Sequence, residues 1–102
     1  MYDPKRVERI RARFNTEKSL AVKLRDGFNG DHFKKQASFL ADDADMYARS
    51  FVGDNLKNYL TATEESNTLD IAEGMIAVLE PRRKYLQEVF DKFGPTVVLA
   101  GG

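Results

Sequence analysis

Few side chains in this chain could do covalent or metal chemistry, and their spacing argues against most of it. The single histidine, His32, stands beside Asp31, a pairing that could serve as a base or as part of a metal site. No second histidine and no cysteine is present to complete a ligand set. None of the four serines lies in a nucleophile-elbow context. His32 therefore reads as an exposed residue in the first turn of a helix. Asp42, Asp43 and Asp45 form the densest carboxylate cluster. Calcium needs oxygen ligands wrapped around it by a loop, whereas these three fall inside a helical pattern with Asp43 pointing away from the other two. They read as a solvated acidic face. Gly27, Gly30 and Gly53 punctuate helices rather than cradle a phosphate. Gly74, inside an apolar pattern, is expected to admit a close helix neighbour. Catalysis is the least expected role, and neither a metal nor a cofactor is expected.

Two basic clusters are better candidates. Arg6, Arg9 and Arg13 recur at helical spacing as a ridge beside an apolar stripe. Arg82, Arg83 and Lys84 follow Pro81, where a new helix is expected to start. Cations there oppose the partial positive charge of a helix amino terminus, and a local rule broken without visible compensation can mark a binding site. The competing reading is that Glu80, Glu88 and acids on neighbouring helices neutralise the cluster internally. These six residues are the candidates for binding a partner. Residues 1–30 carry eight basic and four acidic side chains, and residues 31–66 carry four and seven. A basic first helix followed by an acidic second suits antiparallel neighbours, so part of the Arg6 ridge is expected to serve the bundle itself.

The elements that would position these groups are helices. In the central stretch, Phe33, Ala37, Leu40, Ala44, Tyr47 and Phe51 alternate at steps of four and three, an unbroken apolar stripe. Asp31 is expected to cap this helix, which runs to about Val52, with Gly53 beyond it. Before it, Asp3-Pro4 opens a helix that ends at about Asp26, with Val7, Ile10, Phe14, Ala21, Leu24 and Phe28 on one face. After Gly53, Asp54 is expected to cap a helix carrying Leu56, Tyr59 and Leu60. The pattern fades across residues 61–68, where either a loop or loosened turn near Ser66 separates two helices, the favoured reading, or one helix continues with a wet middle; Asn67 restarts it with Leu69, Ala72, Ile76 and Leu79 inward and Ile71, Met75 and Val78 beside them. Pro81 is expected to end or kink that helix at Leu79-Glu80. A last helix then runs from Pro81 to about Phe93 with Leu86, Val89, Phe90 and Phe93 inward, terminated by Gly94-Pro95.

The expected architecture is all-α: an up-down-up-down four-helix bundle over residues 1–94 and a short, irregular apolar tail over 95–102. At 102 residues there is room for one domain, and 42% apolar residues can fill a modest core. Sixteen basic and sixteen acidic residues cancel, so a general nucleic-acid binder is not expected. No apolar run approaches the roughly 20 residues that span a bilayer. The charged start, Lys5-Arg6-Val7-Glu8-Arg9, does not read as a signal peptide, so any export address is expected to have been removed already.

The helix from Phe33-Lys34-Lys35-Gln36-Ala37-Ser38-Phe39-Leu40 through Tyr47-Ala48-Arg49, and the closing Tyr85-Leu86-Gln87-Glu88-Val89-Phe90, resemble the extrinsic lumenal subunits of photosystem II. The nearest comparison is with the Q-type subunit and its diatom and red-algal four-helix counterparts. The resemblance covers most of the chain as an architecture. It implies a non-catalytic, peripheral subunit of the chloroplast thylakoid lumen that docks on the membrane-intrinsic photosystem II core and supports the oxygen-evolving manganese–calcium cluster. Arg6, Arg9, Arg13, Arg82, Arg83 and Lys84 would then meet acidic lumenal loops. The alternative is a small helical inhibitor or immunity-type protein that blocks an enzyme or toxin through the acidic face of the second helix; a small-molecule-binding bundle is a third reading.

Overall fold

A computed structural model describes residues 3–51 and 62–96. Among them the chain is all-helical, with α1 over Pro4–Gly27, α2 over Asp31–Ser50 and α3 over Ala62–Phe93. The helices form a rod with extents of 55 × 19 × 17 Å. The helix expected from Asp54, with Leu56, Tyr59 and Leu60, lies outside the described residues, as do residues 97–102 of the tail.

α1 starts as the sequence requires. The Asp3 side chain accepts hydrogen bonds from the backbone N–H of Lys5 and Arg6, and Pro4 occupies the first helical position, where its missing donor costs nothing. α2 differs from expectation. Gly30 occupies the cap position with no side-chain hydrogen bond, and Asp31 is already helical. Its carboxylate still favours the first turn through the helix dipole. At the turn between these helices, Lys34 Nζ donates to the carbonyls of Arg25 (2.7 Å) and Phe28 (3.2 Å). A cation thus satisfies acceptors left over at the end of α1.

α3 corrects two expected boundaries and, among the described residues, the four-helix count. There is no break near Ser66 and none at Pro81: one helix of 32 residues runs through both. Its inward residues are Glu65, Leu69, Ala72, Ile76, Leu79, Arg83 and Leu86, spaced four and three without interruption. Pro81 sits on the opposite, exposed side of this repeat. The carbonyl of Ala77, deprived of its amide partner, therefore faces water. Burial of the stripe on both sides of the proline outweighs a penalty of about 3 kcal/mol, because each large apolar side chain withdrawn from water contributes about 2 kcal/mol. α3 does end where Gly94 was expected to end it, with Gly94 at φ +79°.

Salt bridges set the helix directions. Arg6 with Glu73 and Arg13 with Glu80 join residues 67 apart, and Arg83 with Glu17 joins residues 66 apart. A constant offset means that α1 and α3 run parallel and in step. α2 runs against α1, and so against α3, because Lys34 meets Arg25 while Asp45 meets Lys18. The core is built from Val7, Ile10, Phe14, Ala21, Leu24 and Phe28 of α1, Phe33, Ala37, Leu40, Ala41 and Ala44 of α2, and the α3 stripe. Phe93, expected to point inward, is instead exposed.

Gly27 closes α1 as expected, and it, rather than Gly74, is also the glycine at a close helix approach. A Cβ at Gly27 would lie 2.9 Å from the Phe90 ring, so this is where helices approach closely. At Gly74 a Cβ would meet nothing within 4 Å. It is exposed on the outer side of α3 and serves no packing within the bundle.

Candidate functional site

The basic clusters lie largely within the bundle's own charge pairs. Arg6 bridges Asp70 (2.7 Å) and Glu73 (2.9 Å) of α3, and the two carboxylates raise its pKa, first through the Glu73 hydrogen bond. Arg13 reaches Glu80 at 3.0 Å. Lys84 holds the other oxygen of Glu80 at 3.1 Å. The Glu80 carboxyl is accordingly held below its ordinary pKa, mostly by Lys84 and then by Arg13. Arg82 donates to Asp43 of α2 at 2.8 Å. The expected internal neutralisation is therefore present, with Glu80 taking part and with Asp43 and Glu17 as the acids supplied by neighbouring helices. Arg9 is exposed and makes no ion pair among the described residues. Among the described residues, Arg6 and Arg13 of α1 reach α3, Lys18 reaches α2, and Arg11 and Arg25 pair within α1.

Arg83 is unlike the other five. It forms a two-pronged pair with Glu17, through Nε at 2.9 Å and Nη2 at 3.1 Å, with only 5% of the Glu17 side chain and 17% of the Arg83 side chain accessible. Glu17 occupies the gap in the α1 stripe between Phe14 and Ala21, at the same four-three spacing. Arg83 fills the matching place between Leu79 and Leu86. The Glu17 hydrogen bond raises the Arg83 pKa against the opposing effect of burial, so the guanidinium remains charged. Sequence reasoning assigned Arg83 to a surface cluster and passed over Glu17. The available signal was opposite charges interrupting two otherwise apolar heptad patterns.

Asp42, Asp43 and Asp45 do not converge. Asp42 is exposed, Asp43 takes Arg82, and Asp45 accepts from Lys18 at 2.7 Å and Arg49 at 3.0 Å. The Lys18 hydrogen bond is the main cause of the lowered Asp45 pKa. Among the described residues no three metal-ligating side chains cluster. His32 is exposed, with Nε2 2.9 Å from the Gln36 amide nitrogen and its ring edge-on to Phe33.

What the charged groups leave open is apolar. Among the described residues six large hydrophobic side chains are exposed: Phe39 and Met46 on α2, and Ile71, Val78, Tyr85 and Phe93 on α3. Phe39 and Tyr85 flank a hollow of about 250 Å³ between the two helices, floored by Leu40 and Leu86 and edged by Gln36 and Arg82. A smaller hollow of about 60 Å³ lies further along the same groove, where Ile71 and Met75 face Phe51. Such side chains can offer contact area to another protein. Ile71, Val78 and Tyr85, spaced by seven residues, form a column of their own outside the core stripe.

Among the described residues no helix is long and apolar enough to cross a membrane. No family model, no curated protein and no solved structure matches this chain.

Proposed function

We propose that the protein is a non-catalytic binding subunit that docks peripherally on a membrane-intrinsic protein complex. In the form implied by the sequence resemblance, that complex is the photosystem II core and the location is the thylakoid lumen. The supporting observation is the contrast at the α2–α3 edge: most of the candidate cations are held in pairs between helices, while Phe39 stands out of α2 beside an open hollow and Met46 is exposed seven residues further along the same helix. Large apolar anchors with charged residues at their rim are the usual anatomy of a docking surface. Arg82 lines the hollow and supplies that rim. Arg9, exposed on α1, and Arg13 and Lys84, which share Glu80 at the α1–α3 seam, would offer charge elsewhere on the surface, whereas Arg6 and Arg83 act chiefly inside the bundle.

The test is rebinding of the purified chain to photosystem II membranes stripped of their extrinsic subunits by a salt wash. Saturable binding is expected, weakened about tenfold by Phe39→Asp or Met46→Asp, the loss of one good anchor. A smaller loss is expected for Arg9→Glu. Absence of binding to the stripped membranes would overturn the photosystem assignment, and unchanged binding by the two aspartate variants would remove the α2–α3 edge as the contact. Arg83 is unsuitable for this test, because its reversal would also break the buried pair.

A further inference from the structure

The turn between α1 and α2 reads Asp26-Gly27-Phe28-Asn29-Gly30-Asp31, and it holds two side chains open to attack by the backbone nitrogen that follows them. An asparagine or aspartate before a glycine can close a succinimide ring, because glycine carries no side chain to hinder the approach. Asn29 is the only one of the five asparagines that precedes a glycine, and Asp26 is the only aspartate that does. The structure separates the two. Gly27 still belongs to α1, so its N–H is committed to the carbonyl one turn back. The Asp26 carboxylate accepts from Arg25 at 3.1 Å, and a carboxylate is a poor target for a nucleophile. Asn15 and Asn67 stand inside helices, each before a threonine. Asn29 and Gly30 belong to neither helix. Asn29 is exposed and Gly30 is extended, at φ −85° and ψ 146°. Among the described residues the Gly30 N–H donates to no acceptor.

We propose that Asn29 is a site of spontaneous covalent modification, the deamidation of its side chain through a succinimide. The Gly30 nitrogen loses its proton to base and attacks Cγ of Asn29, forming the N–Cγ bond. The Cγ–Nδ2 bond breaks, and Nδ2 takes up the displaced proton and leaves as ammonia. Water then opens the ring at either carbonyl, giving an ordinary aspartate or an isoaspartate whose main chain runs through Cβ. The consequence falls on the contacts of this turn. Asn29 Nδ2 donates to Thr96 Oγ1 at 3.1 Å, and the Asn29 backbone N–H donates to the Pro95 carbonyl at 2.8 Å. Both products lose the Nδ2 donor and gain a negative charge just before α2, an end where the helix dipole favours it. The isoaspartate also lengthens the main chain between Asn29 and Gly30, so the spacing of the turn changes and the contact to Pro95 weakens. The inference is separate from docking through Phe39 and Met46, and its failure would leave that reading standing.

The test is timed incubation of the folded full chain at neutral and mildly alkaline pH, followed by peptide mapping with mass spectrometry. Fragments holding residue 29 are expected to gain the mass of an amide converted to an acid, faster as pH rises, and to separate into aspartate and isoaspartate forms. Asn29→Gln and Gly30→Ala should each abolish that gain over the same time while keeping the helical circular dichroism spectrum. A parallel incubation in urea reads how the same bond reacts without the fold. Conversion of Asn29 in urea but not in the folded chain would overturn the proposal, because the fold would then protect this bond. So would a folded chain that reacts at Asn15, Asn67 or Asp26 ahead of Asn29, or a Gly30→Ala variant that converts at the native rate. Hydrogen exchange reads the consequence: the residue 29 amide should exchange faster in the isoaspartate form than in Asn29→Asp. Equal exchange in the two would overturn the effect on the Pro95 contact.

Discussion

The two long seams of α3 are built on opposite principles. Towards α1 it is fastened by charge: Arg6, Arg13 and Arg83 reach Asp70, Glu73, Glu80 and Glu17 across a constant offset, with Glu17–Arg83 buried at the centre. Towards the outer side of α2, the one ion pair among the described residues, Asp43–Arg82, stands beside hollows and exposed apolar side chains. Apolar stripes alone leave two parallel helices free to slide by a heptad, since one heptad resembles the next. A buried opposite-charge pair removes that freedom, because a slip places Glu17 against a residue such as Ile76 or Phe90. The inner seam is thus specified for one register. The outer seam carries no comparable buried pair among the described residues.

The largest test of this contrast is removal of one member of the buried pair. Glu17→Ala or Arg83→Ala should cost about 3 kcal/mol in urea unfolding, because the remaining charge is buried without a partner. Replacing both, as Glu17→Leu with Arg83→Met, should recover stability to within about 1 kcal/mol of the native chain. If the single and double variants were equally unstable, the pair would not be what holds the seam.

The two glycines give a smaller, signed comparison. Gly74→Ala should stabilise the monomer by about 0.5–1 kcal/mol, since the site is helical and open. Gly27→Ala should destabilise it by about 1 kcal/mol, because the Phe90 ring must move. Thermal midpoints moving in the same direction would contradict the assignment of close packing to one side and open space to the other. On the exposed edge, Met46→Ser or Ile71→Ser should change monomer stability by less than about 0.5 kcal/mol. A larger loss would mean that these residues belong to the core.

Acid should loosen the charged contacts in a defined order. The carboxyls of Asp45 and Glu80 sit below their ordinary values of 3.8 and 4.5 in the folded chain. The stability they contribute is therefore complete above those values and is lost as pH falls through the lower, folded-state ones. Asp45→Asn and Glu80→Gln should each flatten the decline of stability below about pH 4. An unchanged acid limb in both variants would show that these pairs do not differ between the folded and unfolded states.

Much of the helical core was legible because its stripes are long and regular: the α1 and α2 patterns needed no tertiary information. Pro81 misled because a local rule points to a boundary, whereas the packing of Leu79 and Leu86 on either side determines the outcome. Ser66 misled similarly, since a polar outer surface hides the continuing inner positions Glu65 and Leu69. The cations were legible as clusters and their partners were not, for the pairs join residues 39, 66 and 67 apart. Periodicity carries no information about which distant acid a basic residue will meet. Glu17 was missed because a lone charge in an apolar stripe reads as a gap until Arg83 is brought beside it.

The parallel course of α1 and α3 has a consequence for how the molecule can be linked to anything else. Asp3 lies at one end of the rod, where its amide reaches Glu65. Pro95 and Thr96 lie at the other, where they receive hydrogen bonds from Asn29 at the α1–α2 turn. Asp3 and Thr96 therefore stand about a rod's length apart, so a surface recognised beside one is remote from a surface recognised beside the other.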